Sequence, residues 1–334
     1  MDLAYISFRQ ILTMVILMAI GVACAKAGLV DETVGKRLSN LLLLVINPLV
    51  ILLAYQRPFE WELLRGLFLA VVLGAASFAI TATVAHIVYK NRSGRGTLFM
   101  SSEGKIAANR PSRSTIFPSG MKWKEYDNAI EKFACVYPNS AFLGIPLIYG
   151  IFGSQGVFYL TGFLTVFFVF LWTHGEMVMS GRRDFSAIKK MAVSPPMIAI
   201  VLGFAMFVTG VRLPEVVHTP LALLANTNTP LAMLVAGASI CGVNVLATLR
   251  DRRIYGICAM RLLVLPVFVI LLFMPFNIPP VLLGTIVVVA ACPVAANIIL
   301  FAYRHDRDHV YASQAFAAST ILAMVTIPVL LMFL

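Results

Sequence analysis

LLVLPVFVILLFM, residues 262–274, carries no charged or amide side chain on any face. A half-buried strand alternates and a surface helix keeps a polar face, so a stretch that does neither belongs in lipid or inside a bundle that lipid surrounds. The rest of the chain agrees: 60% of its 334 residues are hydrophobic and only 12% are charged, where a soluble domain carries about 25% charged residues. Runs long enough to cross roughly 30 Å of hydrocarbon recur at 5–25, 38–56, 64–89, 129–152, 157–179, 192–210, 219–246, 254–275, 280–302 and 310–333. A barrel would show alternating segments of about ten residues, so the class is all-α integral membrane, with ten transmembrane helices. The first run is long, has no basic stretch before it and leads at once into a second, so it reads as a helix and not as a cleaved leader.

The formal net charge is +11. In a soluble protein that excess would point to nucleic acid, but here its distribution over the loops decides the matter. Numbered from an external N-terminus, the loops on one side hold all the lysines and arginines except Arg9, Arg57, Arg65 and Arg212. That bias is the positive-inside signature. It predicts a multi-pass protein of the inner (plasma) membrane with both termini periplasmic or extracellular, whose macroscopic partner is the lipid bilayer and not nucleic acid. Cys24, Cys135, Cys241, Cys258 and Cys292 stand singly, without the paired spacing of a metal site, and read as small buried residues.

Internal symmetry is visible. Gly28 precedes Pro48 in the second run by the same interval at which Gly210 precedes Pro230 in the seventh, so Asn47-Pro48 and Asn228-Thr229-Pro230 occupy equivalent places. Five runs per half is an odd number, so the second half must be inverted relative to the first. The expected domains are residues 1–180, a first five-helix repeat with a flexible cytoplasmic loop at 91–127, and residues 190–334, a second, inverted one. Taking Pro146 and Pro293 as matching positions, the first half is the longer. Its excess falls in Arg92–Tyr126, rich in Ser, Gly, Arg and Pro.

Chemistry concentrates in CVYPNSAFLGIPLIYG, residues 135–150, and VVVAACPVAANIILFAY, residues 287–303. Pro138, Gly144 and Pro146 in one run, and Pro293 in the other, sit near mid-span. Proline removes a backbone donor and displaces the carbonyl one turn back, leaving polar groups that hydrocarbon cannot accommodate. Interrupted fourth and ninth helices are expected, restarting near Ile145 and Val294. Each restart presents a helix N-terminus with about half a positive charge. Two such ends converging on one point favour a small organic anion such as a carboxylate. Asn139 and Asn297 can donate side-chain hydrogen bonds there, while Asn47, Asn228 and Thr229 offer polar groups from opposing helices. The expected substrate-binding set is therefore Asn139, Gly144, Pro146, Pro293, Asn297, Asn47, Asn228 and Thr229.

Absences narrow the function further. Glu176, near His174, is expected inside a run but close to its cytoplasmic end, whereas paired-carboxylate cation antiport requires acids at mid-depth. His86, His174 and Arg261 fall near the cytoplasmic boundary, where snorkelling or capping is the expected role. No phosphate loop, nucleophile elbow or metal constellation occurs. The chain reads as no enzyme, with neither cofactor nor metal. A sodium- or proton-coupled symporter of the bile-acid type and a non-transporting membrane sensor or scaffold are the other readings that the residues allow.

The motifs LSNLLLLVINPLVIL (38–52), PNSAFLGIPLIYGIFG (138–153), NTNTPLAMLVAGASI (226–240) and ACPVAANIILFAY (291–303) resemble the auxin efflux carrier (PIN-like) family over nearly the whole chain apart from the 92–126 insertion. The resemblance implies two inverted five-helix repeats, with runs 1, 2, 6 and 7 as a scaffold and runs 3–5 and 8–10 as a moving domain. The broken fourth and ninth helices would cross beside the substrate. It implies efflux of auxin-like acids or mono- and dicarboxylates by alternating access, and a homodimer through the scaffold. Asn139 and Pro146 match the fourth-run crossover, Pro293 the ninth, and Asn297 the polar position just beyond it.

Overall fold

The computed structural model describes residues 3–90, 97–100, 122–125, 128–181, 192–241, 248 and 251–332. They form an all-helical membrane protein. Helix α1 is Leu3–Lys26; α2 (Glu32–Leu41) continues through a π-helical turn at Leu42–Ile46 into α3 (Asn47–Ala54); α4 is Trp61–Lys90. Next come α5 (Ala129–Val136), a π-turn at Ser140–Gly144 and α6 (Ile145–Phe170), followed by a π-turn at Leu171–Gly175 and α7 (Glu176–Ser180). The second half holds α8 (Pro195–Thr209), α9 (Glu215–Asn226), α10 (Asn228–Cys241), α11 (Arg252–Ala259), a π-turn at Met260–Val264 and α12 (Leu265–Phe273). It ends with α13 (Pro280–Ala291), α14 (Asn297–Arg304) and α15 (His309–Leu331). Most of the 92–126 insertion lies outside the described residues. Within it, β1 (Thr97–Met100) pairs antiparallel with β2 (Lys122–Glu125), Thr97 opposite Glu125, a local departure from the all-α reading.

Among the described residues, seven helical stretches are long and apolar enough to cross a bilayer, and Pro195–Thr209 and Pro280–Ala291 are shorter apolar helices. The count differs from the ten sequence runs for a physical reason. The longest stretch, Ser140–Ser180, contains Gly153 at φ 62°, ψ −155°, which breaks the helix where the sequence separates its fourth and fifth runs. Only glycine enters that region without steric cost. The Arg57 guanidinium steadies this turn, donating to Ser154 Oγ at 3.0 Å and lying 4.9 Å from the Phe158 ring centroid.

Among the described residues, three of the four π-turns end two residues before a proline: Pro48, Pro146 and Pro266. A proline ring clashes with the carbonyl four residues back, and widening the preceding turn relieves that clash without ending the helix. These prolines shape the spans but do not sever them. Helices α1 and α10 cross with backbones almost touching: a Cβ on Gly21 would overlap Leu234, and one on Gly237 would overlap the Met18 carbonyl. Small residues permit such an approach where no hydrophobic effect drives helices together.

Candidate functional site

The fourth and ninth runs are interrupted, and the interruptions meet. Helix α5 ends at Val136 and helical structure resumes at Ser140; α13 ends at Ala291 and α14 begins at Asn297. Between them Pro138 and Val294 form an isolated antiparallel bridge. The Asn139 N–H donates to the Pro293 carbonyl at 2.8 Å, and the Ala295 N–H donates to the Tyr137 carbonyl at 3.0 Å. This two-bond pattern is locally two-fold symmetric, as antiparallel pairing requires. Each break thereby satisfies backbone groups that the other leaves open, which is how non-helical backbone persists at membrane depth. The Val294 N–H has a further partner, Ser319 Oγ of α15, at 3.1 Å.

The register differs from the one expected. Pro138, and not Pro146, faces the ninth-run break; Pro146 lies inside the restarted helix. The reason is the π-turn at Ser140–Gly144, which absorbs the defect of Pro146 and lets the helix restart five residues earlier than Ile145. In the ninth run the unwound segment is longer, so the restart falls at Asn297 and not at Val294.

Asn139, Gly144, Pro146 and Pro293 are buried around this crossing, and a Cβ on Gly144 would stand 3.6 Å from both Cys292 Sγ and the Asn139 carbonyl. Asn297 is half-buried at the start of α14, which packs chiefly on α15, α5 and α7. Asn47 opens α3 and Asn228 opens α10; both are buried, and Thr229 is half-buried. Both side-chain amide atoms of Asn47, and Oδ1 of Asn228, have no hydrogen-bond partner among the described residues. Helix α10, which bears Asn228, touches both the Leu42–Ile46 and the Ser140–Gly144 π-turns, and α3, which bears Asn47, packs on α6. A narrow cleft between α1, the restarted fourth helix and α15 is lined by Met14, Met18, Leu143, Leu147 and Thr320 among others.

Two polar residues expected at the cytoplasmic boundary, and one that the sequence did not single out, stand elsewhere in the packing. Arg261 is not a snorkelling residue: it is 1% exposed. Its Nε donates to the Cys292 carbonyl at 2.9 Å, Nη1 to Cys135 at 3.0 Å, and Nη2 to Ala290 at 2.9 Å and Val289 at 3.4 Å. His174 likewise does not reach for an interface, since its Nδ1 is 2.8 Å from the hydroxyl of Tyr137, a residue of the first break. That hydroxyl also donates to the Phe170 carbonyl at 2.9 Å, next to the π-turn at Leu171–Gly175. Glu131 is a second buried carboxylate beside Glu176. Its Oε1 accepts from the Tyr311 hydroxyl at 3.2 Å and lies 3.7 Å from Arg253, while Glu176 lies 3.3 Å from both Arg304 and His305. These acids sit at run ends, not at mid-depth. The only advance signal for Arg261 was its place one residue before an unbroken apolar run.

A multi-pass membrane protein whose two interrupted helices are stitched together by their main chains is built as transporters are, around a site between helix ends. The comparisons agree. Residues 183–331 match the family model described as "Membrane transport protein". The chain is also 24% identical over 334 residues to an "Uncharacterized transporter" of Methanothermobacter thermautotrophicus (strain Delta H), covering 96% of each chain. Both matches are to membrane transport proteins, in keeping with that architecture.

Proposed function

We propose that this protein is a secondary transporter that exports a small organic anion, a mono- or dicarboxylate or an auxin-like acid, by alternating access across the inner membrane. The observation that carries this reading is the reciprocal main-chain pairing at Asn139/Pro293 and Ala295/Tyr137. It holds two restarted helices with their N-terminal ends in one region, where the amides of Ala141, Phe142, Ala296 and Asn297 have no backbone acceptor among the described residues. Free helix-start amides and the positive end of the dipole select anions. The substrate-facing set is Asn139, Gly144, Pro293 and Asn297, with Pro146 setting the course of the restarted helix. Asn47, Asn228 and Thr229 border it, and the unpaired Nδ2 of Asn47 is a donor that a bound carboxylate can satisfy.

In this reading the ten spans form two inverted five-helix repeats, 1–180 and 190–334, with both termini outside. The crossover domain slides against a scaffold that includes α1 and α10, and the apolar cleft beside Met14, Met18 and Leu143 lies along that sliding surface. A homodimer forms through the scaffold. Transport is driven by the membrane potential, worth about 2.3 kcal/mol per charge per 100 mV. Both buried carboxylates are ion-paired, Glu131 to Arg253 and Glu176 to Arg304, which leaves them poor carriers of a coupling cation.

Reconstituted in proteoliposomes and given a panel of mono- and dicarboxylates, the protein should show flux that responds to an imposed potential. Collapsing sodium and proton gradients should leave that flux unchanged. Strict dependence on either ion would replace this mechanism with cation-coupled symport.

A further inference from the structure

We propose that Arg261 is the positioning residue of the crossover: one guanidinium caps the C-terminal ends of both broken helices and so fixes where their restarted halves point. This rests on the transport reading above and names the group that shapes its site. Every helix ends with four carbonyls lacking an internal partner and with about half a negative charge. In most spans those ends reach water at the interface. In α5 and α13 they fall inside the protein, and their last-turn carbonyls at Cys135, Val289 and Ala290, with that of the following Cys292, converge on Arg261. The acceptors come from both halves of the chain, since Cys135 belongs to the first break and the others to the second.

The π-turn at Met260–Val264 contains Arg261 and precedes Pro266, so the side chain leaves the helix from a widened turn. A guanidinium suits this place because its planar fork presents five donors at fixed angles, whereas an ammonium is a point charge. Arg261 also borders a shallow cleft on the α4 and α12 side of the crossing, with Ser77, Thr81 and Pro138. With its charge held by carbonyl dipoles, Arg261 adds positive potential behind the two N-termini that receive the anion.

The native thiols report on this arrangement, because Cys135 and Cys292 are fully buried while Cys24 is partly exposed. Arg261→Lys and Arg261→Met variants of the full chain would be treated with a membrane-permeant maleimide, and labelling of each cysteine followed by peptide mass spectrometry. We expect Cys135 and Cys292 to react ~10-fold faster or more in Arg261→Met and by a smaller factor in Arg261→Lys, with Cys24 unchanged, as loss of charge-assisted hydrogen bonds implies. In flux assays the KM for the carboxylate that wild type moves should rise ~10-fold in Arg261→Lys, with kcat changing far less. Wild-type labelling rates at both thiols in a folded variant would overturn the proposal. So would an unchanged KM. If Arg261→Met fails to fold, Arg261→Lys decides. Should wild type move no carboxylate at all, the transport reading falls, while the labelling still decides the place of Arg261.

Discussion

The two breaks share a backbone plan and differ in almost everything attached to it. The first spans Tyr137–Asn139, is fully enclosed, and restarts through a π-turn into a long helix. The second unwinds from Cys292 to Ala296, is tied by Ser319, and restarts into a helix of only 8 residues. The pairing of Pro138 with Val294 fixes how the halves correspond. Asn139 then matches Ala295, and Asn297 matches Ala141, so the two asparagines are not mates. Main-chain pairing demands symmetry because both strands exchange the same bonds. Side chains are free of that demand, and each break contributes its one amide at a different depth along the crossing.

This asymmetry can be broken by substitution. Asn139 is 4% exposed, and Asn297 is half-buried. Asn139→Ala should lower kcat/KM for the anion about 10- to 100-fold, the loss of a hydrogen bond to a charged group, and Asn297→Ala about tenfold or less. Equal effects in a flux assay would mean that the substrate sits on the pseudo-two-fold axis and that burial does not rank the two amides. Ser319→Ala removes the side chain that receives the Val294 N–H, leaving a buried donor open. It should cost about 1–3 kcal/mol of stability, seen as a lower melting temperature in detergent. No shift would show that main-chain pairing alone holds the second break. The smallest effect is expected at Gly144, whose backbone is helical at φ −66° and whose Cβ position meets its neighbours at 3.6 Å. Gly144→Ala should leave stability within about 1 kcal/mol and lower kcat/KM for the anion less than Asn297→Ala does, because the added methyl meets its neighbours at ordinary contact distance. Loss of transport there would place the substrate directly over that glycine.

The crossing was legible in the residues as far as Pro138, Asn139 and Pro293, because proline at mid-span has few harmless explanations. Pro146 misled for an equally physical reason. A proline defect can be absorbed by a widened turn as well as by a break, and only the hydrogen-bond pattern distinguishes the two. The carboxylate of Glu131 fell at the edge of a run, where sequence gives no depth. His174 and Arg261 were read by their distance from the loops, but each found its partner across the fold, in Tyr137 and in four carbonyls.

By itself the sequence determined that this chain dissolves in lipid as a multi-pass protein and that two of its runs are interrupted near their middles. These follow from composition and local stereochemistry. Which interrupted residues face each other, and that one arginine closes both helix ends, was decided by tertiary structure alone. Unpaired carbonyls inside a bilayer must find donors wherever packing brings them, and no local pattern announces which donor that will be.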